Sequence, residues 1–171
     1  MKRVMIDIET MSTHNSNALI LSVGALEFGL GSAGYSLGEK RLWVLDPVEQ
    51  LLLGRHVDPK TQTFWKGQPP EAAEHFVYGA QEPLDQFQES LAEFLKDTDE
   101  LWANGVVFDI GNLASLFDTP PWKYNVVRDA RTVYRTLDPV AGREDRKFRP
   151  EHHPITDCEA QIYGLWQRGI A

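Results

Sequence analysis

The sequence predicts an α/β fold in which helices cover one mixed, five-stranded sheet. Three observations carry that reading. Along Arg3–Glu9 the side chains alternate, with Val4, Ile6 and Ile8 on one face and Met5, Asp7 and Glu9 on the other, the period of a strand. Leu84, Phe87, Leu91, Phe94 and Leu95 recur at the spacing of one helical face. Three consecutive strand signals are followed by a helical stretch and then by interleaved strands and helices, the order of a sheet with helices packed on it.

After the first strand, Ala18–Phe28 is a largely apolar second strand, ended by a loop over Gly29–Gly34. Lys40–Leu45 is a third, stopped by Asp46-Pro47; together the three read as an antiparallel meander. Val48–Gly54 gives one or two helical turns. Asp58-Pro59-Lys60-Thr61 opens a helix through Trp65, with Pro59 suited to its first turn. Gln68-Pro69-Pro70 breaks it, and Glu71–Phe76 starts another short helix. Residues 84–96 form the clearest amphipathic helix. Leu101–Ala103 is a short strand leading through Asn104-Gly105 to a helix over Asp109–Phe117, which Pro120-Pro121 closes. Asn125–Arg128 is the fifth strand, Asp129–Leu137 a helix, Asp138–Glu151 a polar loop, and Ile155–Ile170 a final helix with Ile162, Leu165 and Trp166 toward the core. No repeat, linker or low-complexity tract divides the chain, so residues 1–171 read as a single domain.

With 171 residues, 42% hydrophobic and 25% charged, the composition is that of a globular protein with a proper core. No apolar run approaches the roughly 18 residues of a membrane span. Lys2 and Arg3 imitate the start of a signal peptide, but Asp7 and Glu9 interrupt the apolar stretch at once, so a cytoplasmic location is expected, with no membrane partner. The single cysteine, Cys158, can form no internal disulfide and reads as a small, half-buried residue. The net charge of −8 opposes binding of nucleic acid by bulk electrostatics. Its distribution does not: residues 123–149 hold eight Lys/Arg against four acids, a segment of +4 that leaves −12 for the rest. A basic stretch beside an acidic remainder suits an enzyme that gathers cations and holds phosphates next to them; for Arg143–Arg149, a solvated loop is the alternative.

Three groups of residues carry candidate chemistry. Asp7 and Glu9 lie two apart on a strand, so both carboxylates leave one face and repel each other. A hard divalent cation, Mg²⁺ or Mn²⁺, relieves that conflict; a solvent-exposed face is the alternative. Asp109 lies where a strand gives way to a helix, at the kind of crevice where α/β proteins bind ligands, or else as a simple helix N-cap. His152 and Asp157 sit just before and early on the last helix. Asp157 also suits a first-turn acid facing the helix dipole, and His152 also suits a structural or exposed role.

Taken together and in order, these motifs resemble the DEDDh exonucleases of the DnaQ-like, RNase H-like superfamily. Asp7-Ile8-Glu9-Thr10 is similar to the first motif, Leu101–Asp109 to the second, and His152-His-Pro-Ile-Thr-Asp157 to the third. The nearest likeness is to phage exonuclease A (DexA-like) and exonuclease VIII-type 3′→5′ exonuclease domains. Pro59–Gln68 resembles their Pro-x-Thr followed by Trp-Trp-x-x-Gln, and Trp122 with Arg128–Thr132 resembles their Trp…Arg-Asp-x-Arg-Thr. Pro154 stands where the third motif usually has a small residue, and Phe64 replaces the first tryptophan of the pair.

The resemblance implies a two-metal 3′→5′ exonuclease of RNase H-like fold, acting on single-stranded DNA 3′ ends or on RNA and releasing nucleoside 5′-monophosphates. It implies that Asp7 bridges two Mg²⁺ or Mn²⁺ ions. Glu9 and Asp157 would help hold the ion carrying the attacking water, Asp109 would hold the second site, and His152 would take the proton, its ordinary pKa near 6.5 suiting a base at neutral pH. For substrate contacts the candidates are Thr10 and Met11 after the first motif, Trp65 or Phe64 stacking on a base, Arg131 on a phosphate, and Asn104 orienting Asp109 or a water. Core packing of both aromatics and an Arg131–Asp129 ion pair are the alternatives, and His153 is expected to be exposed. DNA is the favoured substrate on this reading. An oligoribonuclease-like RNA-trimming enzyme and a catalytically silent binding relative are the other readings. A homodimer is compatible with the resemblance, as is a phage source with the protein in the host cytoplasm.

Overall fold

The computed structural model describes residues 1–14, 16–137 and 152–170. The loop expected over 138–151, with the basic string Arg143–Arg149, lies outside the described residues. Six strands form one mixed sheet: β1 (Arg3–Thr10), β2 (Ile20–Gly31), β3 (Gly34–Leu45), β4 (Gln81–Glu82), β5 (Glu100–Ala103) and β6 (Val127–Asp129). Their spatial order is β4-β3-β2-β1-β5-β6. β1, β2 and β3 pair antiparallel, as the meander reading requires, while β5 runs parallel to β1 and β6 parallel to β5.

At β4 and at the β2–β3 hairpin the sheet departs from the sequence reading. β4 adds a sixth strand, two residues long and parallel to the end of β3; a pair of residues between Gly79 and Pro83 has no periodicity to detect. The loop expected over Gly29–Gly34 shrinks to Ser32 and Ala33, because Gly31 pairs with Gly34 and Leu30 with Tyr35. Glycines around a two-residue hairpin turn read as loop although their backbones complete the ladder.

The helices are α1 (Pro47–Leu52), α2 (Pro59–Lys66), α3 (Pro70–Tyr78), α4 (Leu84–Phe94), α5 (Asp109–Ala114), α6 (Ala130–Leu137) and α7 (Pro154–Gln167). Side-chain caps start the first two. Asp46 accepts the Val48 amide at 2.7 Å and Asp58 the Lys60 amide at 2.9 Å, each followed by proline at the first helical position. α5 and α7 end earlier than periodicity suggests, and a 3₁₀ turn at Tyr124–Val126 shortens the last strand's start.

Both faces of the sheet are covered. On one, Val4, Ile6 and Ile8 pack with Trp43, Leu84, Phe87, Leu91 and Leu113. On the other, Met5, Leu26 and Trp102 pack with Ala130, Cys158, Ile162 and Leu165 of α6 and α7. Trp166 is half-buried. Burying each large apolar side chain fully contributes about 1.5–3 kcal/mol. Cys158 is fully buried rather than half-buried, its thiol between the Met5 and Gly24 carbonyls at 3.5 and 3.7 Å. The consequence for function is direct: the strand face that carries Met5, Asp7 and Glu9 is roofed by α7, so it is not the solvent-exposed face that alternation alone allowed.

Candidate active site

β1 lies inside the sheet, between β2 and β5. β5 stops opposite Ile6, where Ala103 is its last residue, so Asp7 and Glu9 extend past the carboxyl end of β5. Across β2 they face Gly24 and Ser22. The chain leaves β5 through a tight turn. Gly105 has φ +122°, a conformation that disfavours any side chain, and its carbonyl accepts the Phe108 and Asp109 amides at 2.9 and 3.1 Å. That turn begins α5 on Asp109 and directs it at the acids of β1. Asp109 occupies the first helical position, and Phe108, not Asp109, is the cap residue. The N-cap alternative is therefore set aside.

α7 delivers the third group. Its N-cap is His153 and its first residue Pro154, whose ring sits directly over Gly24: a Cβ on Gly24 would lie 2.6 Å from the Pro154 Cβ. The missing side chain on β2 lets the start of the helix descend onto the sheet beside Asp7. Pro154, the departure in the third motif, is thus accommodated by a glycine on the neighbouring strand. His152 precedes the helix with φ +60°, uncommon outside glycine, and its ring meets Phe64 and Trp65 edge-on at centroid distances of 5.0 and 6.0 Å. Ligand atoms of Glu9, His152 and Asp157 all lie within 4.8 Å of one another.

The electrostatics follow from crowding acids under a roof. Glu9 and Asp109 are 8% and 7% exposed. Burial first, then Asp109, Glu9 and Asp157, hold the Asp7 carboxyl well above its ordinary value, with a Gln161 hydrogen bond opposing. Burial, then Asp157 and Asp109, raise Glu9 likewise. Asp109 is pushed up to about 7 by burial, with Arg131 opposing and Asp129 adding. Without a cation this cluster resists carrying its full charge. Its donor set, several hard carboxylate oxygens and one imidazole, fits Mg²⁺ or Mn²⁺.

The expected substrate contacts divide. The Trp65 ring is 9% exposed and its indole N–H donates to the Thr10 carbonyl at 2.9 Å, so this tryptophan supports the first motif from beneath; the accessible aromatic of α2 is Phe64, 42% exposed. Thr10 is buried, its hydroxyl donating to Ser12 O at 2.6 Å. The Met11 amide donates to Leu19 O and its carbonyl accepts from the Asp58 amide, both at 2.8 Å, and its side chain is partly buried. Arg131 is exposed beside Asp109; its guanidinium donates to the Asn104 carbonyl at 2.8 Å and covers Gly105. Asp129 accepts the Arg131 backbone amide and the Thr132 hydroxyl. His153 is half-buried rather than exposed, its ring 4.6 Å from that of His75. Sequence reasoning missed Gln161, whose Nε2 donates to Asp7 Oδ1 at 2.8 Å. The only signal was its place one turn beyond Asp157.

This architecture has solved counterparts. A zinc-bound complex of E. coli exonuclease I with single-stranded DNA superposes with a TM-score of 0.71 at 16% identity over 98% of this chain and 41% of that one. E. coli exonuclease I with a dT13 oligonucleotide gives 0.66 at 17% identity over 94% and 39%. A moderately thermophilic exonuclease I from Methylocaldum szegediense gives 0.65 at 15% over 98% and 41%. The chain therefore has the exonuclease I form of the RNase H-like fold and spans about two fifths of the length of those proteins. No curated protein sequence matches it. One family profile does, over residues 2–166. The chain belongs to the Rv2179c-like 3′-5′ exoribonuclease domain family.

Proposed function

We propose that the protein is a divalent-metal-dependent 3′→5′ exonuclease that shortens single-stranded nucleic acid one nucleotide at a time. The observation that carries this reading is the meeting of Asp7, Glu9, Asp109 and Asp157, with His152 beside them, at one crevice from three separate places in the chain. The four carboxylates would hold two Mg²⁺ or Mn²⁺ ions, which when bound supply the positive charge that stabilises the attacking and leaving oxygens of an in-line displacement. His152, poised against Glu9 and Asp157, takes the proton of the attacking water. The new bond joins that water's oxygen to the terminal phosphorus and the P–O3′ bond breaks, so the products are a nucleoside 5′-monophosphate and a strand shorter by one. Phe64 offers a face for the terminal base, and Arg131 reaches a phosphate near Asp109.

RNA is the substrate the family match favours, because that match spans nearly the whole chain. DNA, the expectation from the sequence, stands second, supported by exonuclease I structures of the same fold that hold single-stranded DNA. A single contact to a 2′-hydroxyl is enough to separate the two. Matched 5′-labelled RNA and DNA oligonucleotides, each incubated with Mn²⁺ or with chelator, test the proposal. A ladder receding from the 3′ end, present with metal and absent with chelator, is expected, with RNA degraded faster. Failure to shorten either strand at an intact fold would favour a silent binding protein.

A further inference from the structure

We propose that Gln161 is the positioning residue for Asp7, and that its second amide atom, Oε1, receives a hydrogen bond from the hydration shell of a cation bound there. The inference rests on the metal-site reading and adds a residue that no motif contains. Gln161 lies four residues after Asp157 on α7, so both side chains leave the same helical face toward β1. It is 8% exposed, and Nε2 is committed to Asp7 Oδ1 at 2.8 Å. Its backbone carbonyl accepts the Tyr134 hydroxyl at 2.6 Å, which ties this turn of α7 to α6. Oε1, on the same amide as the nitrogen that touches Asp7, is buried and has no partner among the described residues.

A buried amide oxygen without a partner costs about 1–3 kcal/mol and calls for a donor. Bound Mg²⁺ and Mn²⁺ keep several waters, each a donor, whereas ionised carboxylates offer only further acceptors. The N–H bond fixes the plane of the Asp7 carboxylate, as partners behind metal-ligating side chains generally do. One amide thus engages both the ligand and the ligand's water.

Gln161→Met keeps the length and bulk of the side chain and removes both polar atoms. Mn²⁺ titration by calorimetry without nucleic acid should show affinity reduced roughly 10- to 100-fold, the usual effect of losing such a partner. kcat should fall with KM unchanged. Mn²⁺ affinity within twofold of wild type, in a variant that melts cooperatively, overturns the inference. Should the variant fail to fold, a crystal structure of the wild-type protein with Mn²⁺ decides: a water shared by the ion and Oε1 supports it, and Oε1 without such a water overturns it. Wild-type protein that neither binds Mn²⁺ nor shortens an oligonucleotide sinks the metal-site reading and this inference with it. Wild type that does both, matched by Gln161→Met, sinks the inference alone.

Discussion

Replacing Asp109 with asparagine should stabilise the metal-free protein, increasingly so as pH rises from the ordinary carboxylate range toward 7. Asp109 is 7% exposed, and its carboxyl is pushed from an ordinary 3.8 up to about 7 by burial, with Arg131 opposing and Asp129 adding. The folded chain therefore holds this proton more tightly than the unfolded chain. The stabilisation is complete below the unfolded value and is lost as pH rises through about 7. A difference of some three units corresponds to about 4 kcal/mol, a large part of the stability of a domain this size. Asp7 and Glu9 are displaced in the same direction, so their contributions have the same sign. Asparagine keeps the shape and cannot ionise. Urea unfolding in chelator at pH 5, 6.5 and 8 should show wild type losing stability across the series and Asp109→Asn losing less. The gap should be smallest at pH 5 and widen by about 2–3 kcal/mol toward pH 8, the part of the titration that lies above pH 5. Saturating Mg²⁺ should restore wild type at pH 8 and help the variant much less. Equal stabilities at pH 8 in chelator would refute the claim that burial strains this carboxylate.

Three further outcomes test the packing around the acids. Gly24→Ala puts a methyl 2.6 Å from the Pro154 Cβ, so α7 must lift from β2; a loss of about 1–3 kcal/mol in urea and a roughly 100-fold fall in kcat are expected, and a fully active alanine variant would mean that the descent of α7 does not matter. His152→Ala should lower kcat by roughly 10²- to 10⁴-fold while Mn²⁺ binding, followed by calorimetry, is largely kept. Phe64→Ala removes the accessible aromatic beside His152 and should raise KM by an amount equivalent to roughly 1–3 kcal/mol, with little change in melting temperature.

Those residues differ in how far the sequence disclosed them, and the difference is physical. Asp7 and Glu9 are fixed to one side of β1 by the two-residue period, and that period survives any tertiary context. The side itself was open, because alternation reports that two faces differ and does not report what covers them. Only the packing of Cys158, Ile162 and Leu165 over Met5 decides that the acidic face is roofed. The same limit explains β4: two residues pair with the end of β3 because α3 and α4 hold them there, and no local preference records it. The hairpin of β2 and β3 reads short from sequence for the opposite reason, since glycines at Gly29, Gly31 and Gly34 carry strong local turn preference that the ladder overrides.

Within the site, residue types that act through their own chemistry were visible, and residues that act through another residue were not. Four carboxylates and a histidine have functional groups scarce enough for their order along the chain to be informative. Trp65 is visible in sequence as an aromatic, yet its position in the fold differs from the stacking role expected of it. Its indole N–H is used on the Thr10 carbonyl, and Phe64, its neighbour along the helix, takes the exposed position. Gly24 and Pro154 acquire meaning only as a pair, one residue absent of side chain and the other bulky, meeting across 130 positions of sequence at a Cβ clearance of 2.6 Å. Gln161 likewise looks like any helical glutamine until α7 is laid on β1 and its amide reaches Asp7. Gly24 and Pro154 let α7 descend beside the acids, and Gln161 donates to one of them. The supporting residues are therefore as specific a mark of this site as the ligands, and a relative that keeps the acids but puts a larger residue at the position of Gly24 should have lost either the proline opposite it or the activity.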